Sequence, residues 1–121
     1  MTKKRVIGVI GIGHVGAHVA YSLAIQGIAD ELVLVDQNEQ KVASEVQDLR
    51  DAVAYMPHRV TVRAGDLADL GQCDVIVNSV GKIELLRGTH DRVTEMDFTI
   101  PAVRGYAEKI KASGFDGVLI N

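Results

Sequence analysis

Three glycines within six residues, Gly11, Gly13 and Gly16, stand between an apolar run and a segment of helical periodicity. Glycine weakens the interior of a strand or a helix, so a cluster of it at their junction points to a backbone that must turn sharply and stay bare. The run before it, Val6 to Ile10, is short and mostly β-branched, and reads as a strand buried on both faces. The segment after it, residues 14–26, carries Val15, Val19 and Leu23 at helical spacing, and Gly27 is placed as a helix stop. A strand, a tight turn and a helix in that order pack back as a right-handed crossover onto a parallel sheet. No other feature restricts the fold of this chain as strongly.

The same punctuation continues. "ELVLVD" is a second buried strand ending at Asp36, and Asn38 can cap a helix over residues 39–55 that shows Val42, Val46, Leu49 and Val53 on one face. Pro57 ends that helix. "RVTVRA" and "CDVIVNSVG" give a third and a fourth strand. After a polar segment, residues 82–90, a long helical pattern runs to Ser113 with Pro101 in its middle. Proline suits a first helical turn and damages an interior, so two pieces are expected, residues 91–98 and 101–113, with a kink or break between them. Gly114 stops the second piece and "GVLIN" opens a fifth strand. The order β-α-β-α-β-β-α-β, with strands apolar throughout, predicts an α/β Rossmann-type doubly wound parallel sheet of order 3-2-1-4-5. Residues 1–121 read as a single domain, with the sheet truncated after the fifth strand.

Composition narrows the partners. Apolar residues make up 47% and charged residues 24%, and the net charge is −3, so nothing suggests a basic nucleic-acid surface. Apolar runs fall far short of a membrane span, and the basic start lacks a cleavage site, which together give a cytoplasmic expectation. The single cysteine, Cys73, excludes an internal disulfide and a cysteine metal cluster, and reads as a small buried filler. No metal site is expected.

The glycine string gains specificity from its context. It follows a strand, opens a helix, and precedes Asp36 at the end of the next strand by 20 residues, counted from Gly16. Gly11 permits the turn, Gly13 lets a pyrophosphate approach the backbone, and Gly16 lets the helix pack close to the sheet. The helix N-terminus offers N–H groups and partial positive charge to phosphates. Asp36 can accept hydrogen bonds from ribose hydroxyls and would repel a 2′-phosphate, so NAD is favoured over NADP. His14 and Val15 lie inside the loop; His14 can touch the cofactor or point to solvent. The competing structural reading makes the glycines a plain turn and Asp36 a helix cap.

With these pieces in view, the sequence resembles the lactate/malate dehydrogenase family. "VIGIGHVGAHVAYSLAIQGIADELVLVDQNEQKVASEVQDLRDA" is similar to the opening of an L-lactate dehydrogenase, while "GKIELLRGTHDRVTEMDF" and "ASGFDGVLI" resemble the L-2-hydroxyisocaproate dehydrogenase branch. The resemblance implies NAD binding at Gly11, Gly13, His14, Val15, Gly16 and Asp36, and a further cofactor-contacting turn at Val80 and Gly81. It implies that Arg92 is the arginine polarising a substrate carbonyl, as hydride transfer would require of a cation near the developing oxyanion. It places substrate choice in the segment Glu84, Leu85, Leu86 and Arg87. Leu85 and Leu86 would favour a bulky aliphatic 2-oxo acid such as 2-oxoisocaproate; L-lactate and malate dehydrogenases are the alternatives.

The family's catalytic histidine, its orienting aspartate and its carboxylate-gripping arginine belong to a C-terminal catalytic domain outside these 121 residues. His14, His18, His58 and His90 do not sit in that setting, with His58 and His90 read as surface groups, so this stretch alone is expected not to turn over. Asn121 comes about three residues too early to match the family's Asn-Pro pair after the fifth strand. Asn78 interrupts an apolar strand and needs a hydrogen-bond partner if buried. The family also implies a two-fold contact through the helix matching residues 42–56, hence a homo-oligomer. A regulatory NAD-sensing Rossmann module is the rival reading from another class.

Overall fold

The computed structural model describes residues 2–88 and 91–121, without the side chains of Ile83 and Leu86. Its elements are β1 (Val6–Ile10), α1 (His14–Ile25), β2 (Glu31–Val35), α2 (Glu39–Val53), β3 (Thr61–Ala64), β4 (Val75–Asn78), α3 (Arg92–Ala112) and β5 (Val118–Ile120). Short 3₁₀ turns at Asp69–Gln72 and Ile83–Leu86 flank β4. All five strands are parallel, in the order β3-β2-β1-β4-β5. This is the doubly wound order that the sequence predicts.

Burial explains why β1 and β2 are almost wholly apolar. On one side of the sheet, Val9, Leu32, Leu34 and Val62 pack under Ala20 and Ala24 of α1 and Val42, Val46 and Leu49 of α2. On the other side, Ile10, Val33, Leu70 and Ile76 meet Ile110 of α3. A strand covered on both faces has no position at which water tolerates a polar side chain. Cys73 belongs to the second cluster, and burial pushes its thiol up to about 11, which makes it inert filler.

Helix ends follow their local chemistry. Gly27 takes φ +64 after α1, and the N–H groups of Gly27 and Ile28 bond back to Ala24 and Leu23 O at 3.1 and 3.2 Å. That paired closure requires a left-handed residue, which glycine adopts without strain. Asn38 caps α2 by accepting from Lys41 N–H at 3.1 Å. The helix then stops at Val53, two residues short of the sequence expectation.

The third helix corrects the sequence reading. Instead of two pieces, α3 is one helix of 21 residues with Pro101 inside it. Pro101 has no N–H for the Asp97 carbonyl, yet both residues are exposed, so solvent can serve that oxygen. The cost is further offset because the helix is anchored at both ends. Asp91 accepts from Val93 N–H at the start, and Ile110 is buried near the finish.

The C-terminal strand β5 lies at the sheet edge. Val118, Leu119 and Ile120 are 60%, 50% and 52% exposed. Asn78 at the end of β4 finds its partner here: its Nδ2 donates to Asn121 Oδ1 at 2.7 Å. Among the described residues, no helix is long and apolar enough to cross a membrane.

Candidate cofactor and active site

The C-terminal ends of β1, β2 and β4 open on a cleft of about 460 Å³. In a doubly wound sheet this is the crevice where strand order reverses, because α1 leaves β1 toward one face and the chain after β4 leaves toward the other. Gly11, Gly13, His14, Val15, Asp36, Val80, Gly81 and Arg92 all line it. The fold brings these sequence-predicted residues, drawn from separate segments, to one space. Gly16 is buried beneath them.

The three glycines do different work. Gly11 has φ +85, and a Cβ there would come within 2.8 Å of Val80 N and 2.9 Å of Ser79 C. Gly16 has backbone directly in front of it: a Cβ would run into the Gly11 carbonyl oxygen and reach within 2.7 Å of Ser79 Oγ. Gly13 is the opposite case, since a Cβ there meets nothing within 4 Å. Gly11 and Gly16 therefore serve the protein's own packing, and Gly13 keeps the cleft clear. Gly13 is also the N-cap of α1; it brings no side chain to cap with, and the first turn contains no acidic residue. The N–H groups and partial positive charge of that turn are thus available to an anionic ligand.

Asp36 is half-buried at the end of β2. Its Oδ2 accepts from Ile12 N–H at 2.7 Å and its Oδ1 from Asn38 N–H at 2.9 Å. These bonds fix the carboxylate against the glycine loop. Each oxygen keeps a lone pair, so two more hydrogen bonds from a diol remain possible. The competing helix-cap reading fails: the cap of α2 is Asn38, and at that helix Asp36 reaches only the N–H of Asn38 itself.

Several cleft residues carried no signal in the sequence. Ser79 Oγ lies 2.7 Å from Gly11 O and 2.9 Å from Ile10 O, tying the glycine turn to the end of β4. Glu95 accepts from Lys82 N–H at 3.0 Å and pairs with Arg92 Nη1 at 3.2 Å. The Lys82 ammonium sits 4.9 Å above the Phe98 ring. Arg92 itself is 80% exposed and borders a second, adjoining cleft with Asn78, Thr99 and Asn121.

His14 and His18 are exposed, one turn apart, with ring centroids separated by 5.9 Å. His58 is exposed against Gly27, far from the cleft, and His90 lies outside the described residues. Of the segment expected to choose substrate, Glu84 lines the cleft, whereas Leu85 is half-buried and does not. The side chain of Leu86 lies outside the described residues.

These residues fit a dinucleotide: an uncapped helix N-terminus for its phosphates, bare backbone at Gly13, and a fixed carboxylate for its ribose. The lactate/malate dehydrogenase NAD-binding domain model matches residues 5–120. The chain belongs to the lactate/malate dehydrogenase family. Its part in that family is the NAD-binding domain, and NAD is the cofactor. An L-lactate dehydrogenase from Fusobacterium nucleatum is 35% identical over 120 residues, which are 99% of this chain and 37% of the relative. The ligand-bound minor L-lactate dehydrogenase of Enterococcus mundtii superposes with a TM-score of 0.87 at 29% identity, over 96% of this chain and 36% of that one. A lactate dehydrogenase from a Medee basin deep-sea metagenome library, MGS-M5, gives 0.85 at 28% identity, over 98% and 37%. The chain thus spans little more than a third of the length of the relatives it matches.

Proposed function

We propose that this domain serves an NAD-dependent L-2-hydroxyacid dehydrogenase, interconverting a 2-hydroxy acid and its 2-oxo acid. The observation that carries the reading is that Arg92 lines the same cleft as Gly11, Gly13, Asp36 and Val80. A cofactor site and a cation that can face a carbonyl oxygen are therefore contiguous. When bound, NAD supplies the hydride acceptor or donor at its nicotinamide ring. The chain's residues do the rest of the work assigned to this domain. The α1 N-terminus and Gly13 hold the pyrophosphate, with His14 and Val15 beside it. Asp36 takes the adenine-ribose hydroxyls, and Val80 and Gly81 border the path toward the reacting end. Arg92 stabilises the negative charge that builds on the carbonyl oxygen as hydride reaches the carbon. Proton transfer and grip on the substrate carboxylate belong to residues other than the histidines of this stretch.

The substrate we infer is a 2-oxo acid with a bulky aliphatic side chain, on the strength of the resemblance of "GKIELLRGTHDR", with its Leu85-Leu86 pair, to the hydroxyisocaproate branch; Leu85 itself stands off the cleft wall. The names of the relatives favour a second reading, pyruvate and L-lactate. A homo-oligomer paired through the helix of residues 42–56 is the assembly that the family resemblance supports. The full-length enzyme, assayed with NADH on 2-oxoisocaproate, pyruvate and oxaloacetate, separates these readings. 2-Oxoisocaproate giving the highest kcat/KM supports the first; oxaloacetate being clearly best would defeat both. In the same assay Arg92→Leu should lower kcat by about 10²–10³-fold, the usual effect of removing one oxyanion-stabilising group.

A further inference from the structure

Glu95 lies in the first turn of α3, and its side chain is only 15% exposed although its neighbours on the helix face water. Its two oxygens are divided between two parts of the chain. Oε2 pairs with Arg92 Nη1 at 3.2 Å, and Oε1 accepts the Lys82 backbone N–H at 3.0 Å. The Lys82 side chain then folds back over Phe98, three residues beyond Glu95 along α3, at 4.9 Å from the ring centroid. The turn that leaves β4 is thereby fastened to α3 twice, once by backbone and once by side chain.

An isolated ion pair three residues apart on an exposed helix is weak, because two long side chains must be ordered to form it. Here one partner is already ordered. The bond from Lys82 N–H fixes the Glu95 carboxylate relative to β4, so Arg92 pairs with a charge that does not wander. We propose that Glu95 is a positioning residue that locks the Gly81–Lys82 turn to α3 and sets where the Arg92 guanidinium stands at the cofactor cleft. This rests on the reading of Arg92 as the group that meets the substrate carbonyl.

The test uses the 121-residue chain with two substitutions, Glu95→Gln and Glu95→Ala. Amide hydrogen exchange at Lys82, relaxation of the Arg92 Nε–H group and NADH affinity are read in each. Glu95→Gln keeps an oxygen for Lys82 N–H and removes the charge facing Arg92. It should leave Lys82 exchange and NADH affinity within about twofold of the parent while the Arg92 side chain becomes mobile. Glu95→Ala removes both contacts, and should speed Lys82 exchange by about tenfold, weaken NADH binding several-fold and free Arg92 as well. Unchanged Lys82 exchange in Glu95→Ala, or an Arg92 side chain as mobile in the parent as in Glu95→Gln, overturns the proposal. Neither readout involves substrate. If both come out as expected and Arg92→Leu leaves turnover of the full-length enzyme intact, the catalytic reading of Arg92 fails and the positioning of its side chain by Glu95 stands.

Discussion

Gly16→Ala is the sharpest perturbation of the site, because the obstacle is backbone. The new methyl would run into the Gly11 carbonyl oxygen and lie 2.7 Å from Ser79 Oγ and 3.0 Å from Gly11 C. Gly11 has little room to retreat toward β4, where even a Cβ on it would come within 2.8 Å of Val80 N and 2.9 Å of the Ser79 carbonyl. The helix must therefore lift from the sheet above Ala20 and Ala24, two residues with no exposure. Overpacking of this kind costs about 1–3 kcal/mol and more where backbone has to move. Alanine returns about 1 kcal/mol through helix propensity. The net loss is about 2 kcal/mol, or a melting temperature lower by roughly 8 °C for a domain of this size. Gly13→Ala is the internal control: its methyl enters open space, so the melting temperature should move by less than about 3 °C while NADH affinity falls. Thermal denaturation followed by circular dichroism, with NADH titrations alongside, measures both. A Gly16→Ala variant as stable as the parent would refute the assignment of Gly16 to packing. A Gly13→Ala variant that binds NADH normally would refute the assignment of Gly13 to the ligand.

Three further outcomes are expected. Asp36→Ala strands the N–H of Ile12, a fully buried residue, and should cost about 1–3 kcal/mol in a denaturant melt as well as NADH affinity. Acid should destabilise the fold: the Arg5 guanidinium holds Asp30 well below the usual carboxylate range, Lys3 lowers Asp74 and Arg63 lowers Glu31. Carboxyls depressed in the folded state contribute stability above their unfolded pKa near 4, and that stability disappears as pH falls through the folded values. Melting temperature should hold between about pH 7 and 5 and drop below about pH 4, and a rise on acidification would contradict these pairings. Light scattering should find the 121-residue chain self-associating through the exposed β5 edge, and a clean monomer at high concentration would count against that.

The sequence made the architecture legible because the most buried strands, β1 and β2, are almost wholly apolar and each helix is bounded by glycine, proline or a capping residue. Gly27 and Asn38 are legible in the sequence because their roles are local. Pro101 misled for the same reason: local propensity predicts a break, and only the exposure of Pro101 and Asp97 and the anchoring of both helix ends permit a continuous α3. The missing site residues share a different property. Ser79, Glu95 and the Asn78–Asn121 pair act through contacts 13 to 69 residues apart in the chain, which no periodicity records. Asn78 announced only that it needed a partner. Leu85 shows the limit of composition as a guide, since an apolar residue in the right segment still leaves the cleft wall to Glu84.

The central claim is that the glycine loop and Asp36 together make a site for NAD and against its 2′-phosphorylated form. Calorimetric titration of the 121-residue chain with NADH and with NADPH tests it directly. NADH should bind at least about tenfold more tightly, as expected when a phosphate dianion is brought against a fixed carboxylate. NADPH binding as well as NADH, or no binding of either, would contradict the account.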